Sequence, residues 1–366
     1  MKKRIWVALL LSVVVVVGSG FLLRAKLFGD IWASGINSGN YALDTENTNH
    51  SSGDKNDISI VFAGDVMMDD SVKEAMRERG VDDPFLQVKD QVQAADWAVV
   101  NLETAVTTAT VKDTSQTYNF NADPASLGGL RNAGFDMVSL ANNHVLDYLP
   151  EGLMDTIRNL EDVGLAHTGA GKNEEEAFQA KTVILGGNRV KIAAFTRFIP
   201  LVSWNAAKDR PGVAGAYKQK KVLKVIREQS ADSDYFIVYM HWGVEQNNRP
   251  EKWQRDLAKK MIDAGADAII GSHPHVLQGF EYYKGKPIAY SIGNFLFPDY
   301  VAGPNADTGL LKLSLHDGRI DMGFYPYYIE DNRILKLYSD YEEKQLKYIE
   351  SLSYGVYLDG NVVKQK

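Results

Sequence analysis

The stretch Ala266-Asp267-Ala268-Ile269-Ile270-Gly271-Ser272-His273-Pro274-His275 reads as a short buried strand that ends in two imidazoles. An apolar run bounded by glycine marks such a strand. Pro274 fixes its own backbone angle and biases His273 toward an extended shape, so the two rings are held in one geometry. Paired histidines at a strand end form half of a metal site. They also fit a plain polar loop, so the reading turns on how the other apolar runs end.

Four others end in the same kind of residue. The run 58–63 leads into Gly64-Asp65, 97–100 into Asn101-Leu102-Glu103, 135–140 into Ala141-Asn142-Asn143-His144, and 235–240 into His241-Trp242-Gly243. In α/β architectures ligands gather at the carboxyl ends of strands, where side chains enter a shared crevice. Carboxylate, amide oxygen and imidazole together suit Zn, Mn or Fe, and suit Mg or Ca less well. One or two such divalent ions are expected, with Glu103 the natural bridge between two and His144 placed to protonate a leaving group. Taken singly, each residue has a plainer reading: Asp65 as the cap of a turn, Glu103 as a surface acid, Asn143 as a left-handed turn residue, His241 as a satisfied half-buried histidine. Their joint occurrence favours a shared site.

Composition narrows the alternatives. The 366 residues, 45% apolar and 24% charged, are ordinary globular chemistry. Forty basic against 47 acidic residues leave a net charge of −7, which argues against nucleic acid as a partner. With no cysteine, disulfides and thiolate chemistry are excluded, and a metal must be held by His, Asp, Glu or Asn.

Lys2, Lys3 and Arg4 precede an uncharged stretch from Ile5 to Leu23 that approaches the roughly 20 residues needed to span a bilayer. It is longer than a secretory h-region and runs into Phe-Leu-Leu-Arg in place of a small-residue cleavage site. Residues 1–29 are therefore read as an uncleaved signal anchor, with a cleaved signal and, more weakly, a buried helix as the alternatives. The basic cluster favours the bulk of the chain outside the cell membrane. Residues 30–57, rich in Asn, Ser, Gly, Thr and Asp, read as a flexible tether. The main domain is expected over 58–335, and a C-terminal helix and tail over 336–366.

Within the domain, 71–79 reads as a helix, and so does the segment carrying Leu149, Leu153, Ile157 and Leu160, with Pro150 near its start and Gly164 beyond its end. Gly186-Gly187-Asn188 and Asp317-Gly318 are hairpin turns, and 203–217 is a long loop, a candidate substrate rim. A basic helix follows at 218–229, and Trp253, Leu257 and Met261 lie on one stripe of another that Gly265 stops.

The motifs Gly64-Asp65-Val66-Met67-Met68, Asn101-Leu102-Glu103, Ala141-Asn142-Asn143-His144 with Asp147, His241-Trp242-Gly243-Val244-Glu245, Gly271-Ser272-His273-Pro274-His275-Val276 and Tyr290-Ser291-Ile292-Gly293-Asn294-Phe295 resemble the CapA-type (PgsA) poly-γ-glutamate capsule proteins. That family is similar to the calcineurin-like metallophosphoesterases. The resemblance implies an α/β fold, a four-layer β-sandwich flanked by helices and preceded by one transmembrane helix. It implies that Asp65 and His275 serve one metal, that Asn143, His241 and His273 serve the other, that Glu103 bridges, and that His144 is the general acid. Two positions depart from the phosphoesterase pattern: Met67 stands where a histidine is usual, and Glu103 replaces an aspartate. The first metal thereby lacks one ligand.

The same resemblance implies a membrane-anchored partner of the poly-γ-glutamate synthase membrane components, acting in synthesis or export of the polymer. Arg197, Lys208, Arg210 and Arg249 lie in or near expected loops and are suited to bind carboxylates of an anionic γ-glutamyl chain, or simply to keep the surface soluble. Asn294 is a further candidate substrate-binding residue. Against this stands a metal-dependent hydrolase of phosphoester or γ-glutamyl amide bonds, and, more weakly, an enzyme fold kept for docking alone.

Overall fold

The computed structural model describes residues 57–366. The expected anchor and nearly all of the tether lie outside the described residues. Among the described residues no helix is long and apolar enough to cross a membrane.

Two large sheets carry the fold. A ten-stranded mixed sheet runs in the order Val356–Asp359, Val362–Gln365, Arg319–Glu330, Asp307–His316, Ile58–Val66, Trp97–Leu102, Met137–Ser139, Ala166–Thr168, with Asn294–Leu296 and Arg333–Leu335 attached at its side. A six-stranded sheet runs Leu277–Tyr283, Lys286–Ile292, Ala268–Ser272, Tyr235–His241, Asn188–Thr196, Lys181–Leu185. The site-bearing strands are parallel within each sheet, so their carboxyl ends share one edge.

Alternation of side chains explains why these runs are apolar without a break. Ile58, Ile60 and Phe62 pack with Tyr235, Ile237 and Tyr239 of the other sheet in one core. Val61 and Ala63 point the other way, onto Val72, Met76, Leu130 and Leu153 of the helices Asp70–Arg79, Leu127–Ala133 and Leu149–Asp162. Phe236, Val238 and Met240 likewise face Val222 and Ile226 of Gln219–Ser230 and Leu257 and Met261 of Lys252–Asp263. Each central strand is therefore buried on both faces, between helices and the opposing sheet.

The strand following Lys286–Ile292 switches sheets. After Gly293, at φ 71°, Asn294–Leu296 pairs in parallel with Ile58–Val66, placing Asn294 beside Asp65. This crossing needs glycine at position 64, where a Cβ would stand 2.0 Å from the Gly293 carbonyl oxygen.

Both expected hairpins form, Lys181–Leu185 with Asn188–Thr196 and Asp307–His316 with Arg319–Glu330. Asp317 and Gly318 both take positive φ, as a two-residue turn matched to strand twist requires. Residues 336–366 are not a separate tail. The helix Ser339–Leu352 sends Ile349 into the core between the sheets, and Val362–Gln365 pairs with Arg319–Glu330. Val356 and Val363 are buried there too, which ties this segment to the domain.

Candidate metal centre

Asp65, Glu103 and Asn143 arrive from the ten-stranded sheet, and His241, His273 and His275 from the six-stranded sheet. The crevice is thus formed between the sheets, and neither sheet alone carries the set. Asp65, Glu103, His241 and His273 are buried to within 1%. Glu103 is accordingly no surface acid.

Three ligand-type atoms converge on His241 Nε2. Asn143 Oδ1 lies 2.6 Å from it, His273 Nδ1 3.1 Å and Glu103 Oε1 3.4 Å. Ligands about 2.0–2.1 Å from a tetrahedral ion stand roughly 3.3 Å apart, so the donor set fits such an ion. On the other side, His275 Nδ1 is 3.6 Å from Asp65 Oδ2. Glu103, His273 and His275 bring ligand atoms within 4.8 Å of one another, as do Asp65, Glu103 and His241, so Glu103 belongs to both groups. Its two carboxylate oxygens and His273 Nε2 are buried without any hydrogen-bond partner among the described residues. Buried polar atoms ordinarily find partners, and the two Glu103 oxygens are atoms that a cation would satisfy.

Electrostatics prepares the same arrangement. Burial, with the Asp65 charge adding to it, pushes the Glu103 carboxyl up to about 8. Burial holds His241 at about 3 against the pull of Asp65, and holds His273 well below the usual imidazole range, aided by the neighbouring histidines. Both imidazoles are therefore neutral, as metal ligands must be. His275 moves the other way: burial would lower it, but Glu103, Asp65 and the Asn294 hydrogen bond outweigh that and raise it.

The backbone at the histidines differs from the expectation. His273 sits at φ 96° and His275 at φ 57°, so His273 is not extended despite the following proline. The His273 N–H donates to Asp65 Oδ2 at 2.9 Å, which holds the turn. Positive φ at non-glycine residues stores strain, here at the ligating positions themselves.

His144 Nδ1 lies 2.9 Å from Asp147 Oδ2, leaving Nε2 as the position for giving or taking a proton. Burial would lower this imidazole, but the Asp147 hydrogen bond and charge, with Glu103 beyond, raise it. Three of the histidines carry a phenylalanine: Phe120 on His144 and Phe198 on His273, both at 4.5 Å between ring centres, and Phe297 on His275 at 5.1 Å. Met67, at the position expected for a histidine in the phosphoesterase pattern, is fully buried in an apolar group with Phe297, Ala306 and Ile329.

Several residues that sequence reading passed over orient this set. The Asn101 side chain donates to Asp65 Oδ1 at 2.8 Å, and the Asn142 side chain donates to Asn101 and accepts from the His144 and Val145 N–H groups. Ser272 Oγ lies 3.1 Å from His241 Nδ1. Glu245, though exposed, adds its charge to the fields at Glu103, His144, His241 and His275. All four stood inside the motifs; only their direction was hidden.

The candidate substrate residues separate. The Arg197 N–H donates to the His241 carbonyl at 2.8 Å, and its guanidinium lies 4.0 Å over the Trp253 ring with Nη1 buried and unpartnered. Asn294 is fully buried, its Oδ1 2.8 Å from His275 Nδ1 and its amide donating to the Asn305 carbonyl, so it positions a ring. Arg249 is exposed, and among the described residues only its backbone N–H is engaged, by Asn247. Lys208 and Arg210 line a separate cavity.

Fold and site together define a class: a two-sheet α/β protein with a carboxylate, amide and imidazole cluster where strands of both sheets end. The chain belongs to the family described as bacterial capsule synthesis protein PGA_cap, whose model matches residues 59–299. It is 33% identical to the capsule biosynthesis protein CapA of Bacillus anthracis over 266 residues, 71% of this chain and 64% of that protein. With the PGA biosynthesis protein CapA of Bacillus subtilis (strain 168) it shares 33% identity over 246 residues, 66% of this chain and 63% of that one. The match spans less than two thirds of either relative. The solved structure of Haemophilus influenzae NAD nucleotidase (NadN) overlaps with a TM-score of 0.41 at 12% identity, covering 83% of this chain and 57% of that one.

Proposed function

We propose that this chain is a membrane-anchored, extracellular component of poly-γ-glutamate capsule synthesis and export, and that it handles the anionic polymer beside a divalent transition metal. Its partners on this reading are the synthase membrane components, the polymer and the membrane itself. Family membership and the names of the two CapA relatives support the capsule role. The uncharged stretch from Ile5 to Leu23 supports the anchor.

The observation that carries the metal is Glu103, a buried carboxylate with both oxygens unpartnered and shared between two ligand groups. Asn143, His241, His273 and Glu103 would hold one ion of Zn, Mn or Fe, and Asp65 and His275 with Glu103 a second. When bound, such an ion acts as a Lewis acid on a carbonyl or phosphoryl oxygen and neutralises carboxylate charge.

Two measurements test this. Elemental analysis of the full-length protein is expected to find stoichiometric transition metal that His273→Ala with His275→Ala loses; wild type that holds none and cannot be loaded sinks the metal. Cells lacking the chain are expected to lose surface polymer, and unchanged export refutes the capsule role.

The His144–Asp147 pair favours a second reading, a metal-dependent hydrolase of phosphoester or γ-glutamyl amide bonds in a metallophosphoesterase-like fold. Asp147 would hold the ring so that Nε2 delivers a proton to the leaving group. Turnover is then expected to vanish in His144→Ala with metal retained. A metal-loaded preparation inert toward both bond types excludes it.

A further inference from the structure

A cavity of about 480 Å³ lies one strand away from His241. His241 is in register with Thr196, Thr196 bridges to Gly215, and Tyr217 two residues on forms part of the cavity wall. Arg197 connects the two places. Its N–H meets the His241 carbonyl, and its guanidinium lies between the Trp253 and Tyr217 rings, 4.0 and 5.9 Å from their centres.

The charge of the wall is opposite to that of the molecule. Lys208, Arg210, Lys218 and Lys221 line it against one carboxylate, Glu174, in a chain of net charge −7. Glu174 is taken by Lys221, whose ammonium also lies 3.8 Å over the Phe178 ring. Among the described residues Lys208, Arg210 and Lys218 meet no carboxylate; Arg210 gives one N–H to the Asn205 carbonyl. Three uncompensated cations at a concave surface attract anions. The volume is many times the roughly 30 Å³ share of one water, which suits a segment with several carboxylates over a single small anion. Val202 and Tyr217, 88% and 57% exposed, offer apolar surface to the methylenes between such carboxylates.

We infer that this cavity is a carboxylate-binding subsite for an acidic chain, with Arg197 leading from it toward the His241 side of the candidate metal centre. The inference rests on the polymer-handling reading and adds to it where the chain is held. Exposed ion pairs each change affinity by a factor of about 1.5 to 5, so removing three lowers it roughly 3- to 100-fold, with about tenfold near the middle of that range. Repetition of carboxylates along a polymer multiplies weak contacts into firm retention.

The test is fluorescence anisotropy of the full-length protein with a labelled poly-γ-glutamate oligomer, and with labelled poly-α-glutamate and polyphosphate in parallel. Lys208→Ala with Arg210→Ala and Lys218→Ala is expected to weaken the γ-linked oligomer about tenfold, with unchanged melting and metal content, and to reduce its salt dependence. Lys284→Ala with Arg319→Ala and Lys364→Ala removes the same charge from a cavity of about 470 Å³ at the other end of the strands, and is expected to change affinity less than twofold. The inference is overturned if the first triple binds like wild type, if the control triple loses as much, or if polyphosphate binds and neither carboxylate polymer does. Equal binding of both glutamate polymers supports a general acidic-chain subsite; preference for the γ-linked one supports the capsule polymer. Loss of the metal reading is seen separately, as a protein without metal whose oligomer affinity still depends on the first triple.

Discussion

Glu103 and Glu281 are both buried glutamates, 1% and 7% exposed, and their surroundings are opposite. Glu281 accepts from Lys259 at 2.8 Å, Arg255 at 3.1 Å and Tyr290 OH at 2.7 Å. Burial would raise its carboxyl, but these hydrogen bonds and charges outweigh it and hold it below the usual range. Glu103 has no such partner and is pushed up to about 8. A buried acid enclosed by cations that hydrogen-bond it is a packing element, whereas a buried acid left without hydrogen bonds among imidazoles is a binding element.

The largest effect expected from this contrast is on stability against pH. Glu103 has a folded value above its unfolded one, near 8 against 4.5, so its contribution is complete below about pH 4.5 and is lost as pH rises through 8. Metal-free Glu103→Gln should therefore be more stable than wild type by on the order of 3 kcal/mol at pH 9, and equal to it near pH 4. Urea unfolding at the two pH values measures this; parallel curves would make Glu103 an ordinary buried acid.

Metal comes next. A hundredfold excess of Zn over its dissociation constant should stabilise wild type and Glu281→Ala alike by about 2.7 kcal/mol, and Glu103→Ala markedly less. Thermal shift with added metal reads the difference, and equal shifts in all three would erase the distinction.

Glu281→Ala should itself destabilise by about 2 kcal/mol, less than for a fully enclosed pair because Arg255 and Lys259 keep 32% exposure. Its depressed carboxyl gives stability that is present above the unfolded value and lost as pH falls through the folded one, the reverse of Glu103. Denaturant titration from pH 7 to pH 3 should show the mutant and wild type converging.

The smallest effect is at Asn294. Its removal leaves His275 Nδ1 without its acceptor and should cost about 1 kcal/mol of stability with weakened metal affinity. Asn294→Ala with undiminished metal affinity but lower oligomer affinity would make it a substrate residue instead.

Much of the site could be read in advance because strand ends are local. Gly64-Asp65 and Ser272-His273-Pro274-His275 announce themselves by apolar runs that stop at polar residues, and the six ligand candidates do converge in space. Orientation was less legible. Asn101 and Asn142 stood inside motifs, but their hydrogen bonds to Asp65 and His144 depend on how parallel strands align. Arg197 and Arg249 looked alike as loop cations, and only packing separates a guanidinium stacked on Trp253 from one left exposed. The positive φ of His273 contradicted the local rule for a residue before proline, because a hydrogen bond to Asp65, 208 positions away, holds it.

By itself the sequence determined which residues end the apolar runs and so make up the candidate cluster, the absence of thiol chemistry and the family motifs. Those follow from residue identity and short-range periodicity. Tertiary structure alone decided that the ligands come from two sheets, that Glu103 is buried and unpartnered among the described residues, that residues 336–366 close the core, and that four cations from a loop and the start of the following helix line one cavity. Burial and pairing are made by contacts between distant segments, so no window of sequence contains them.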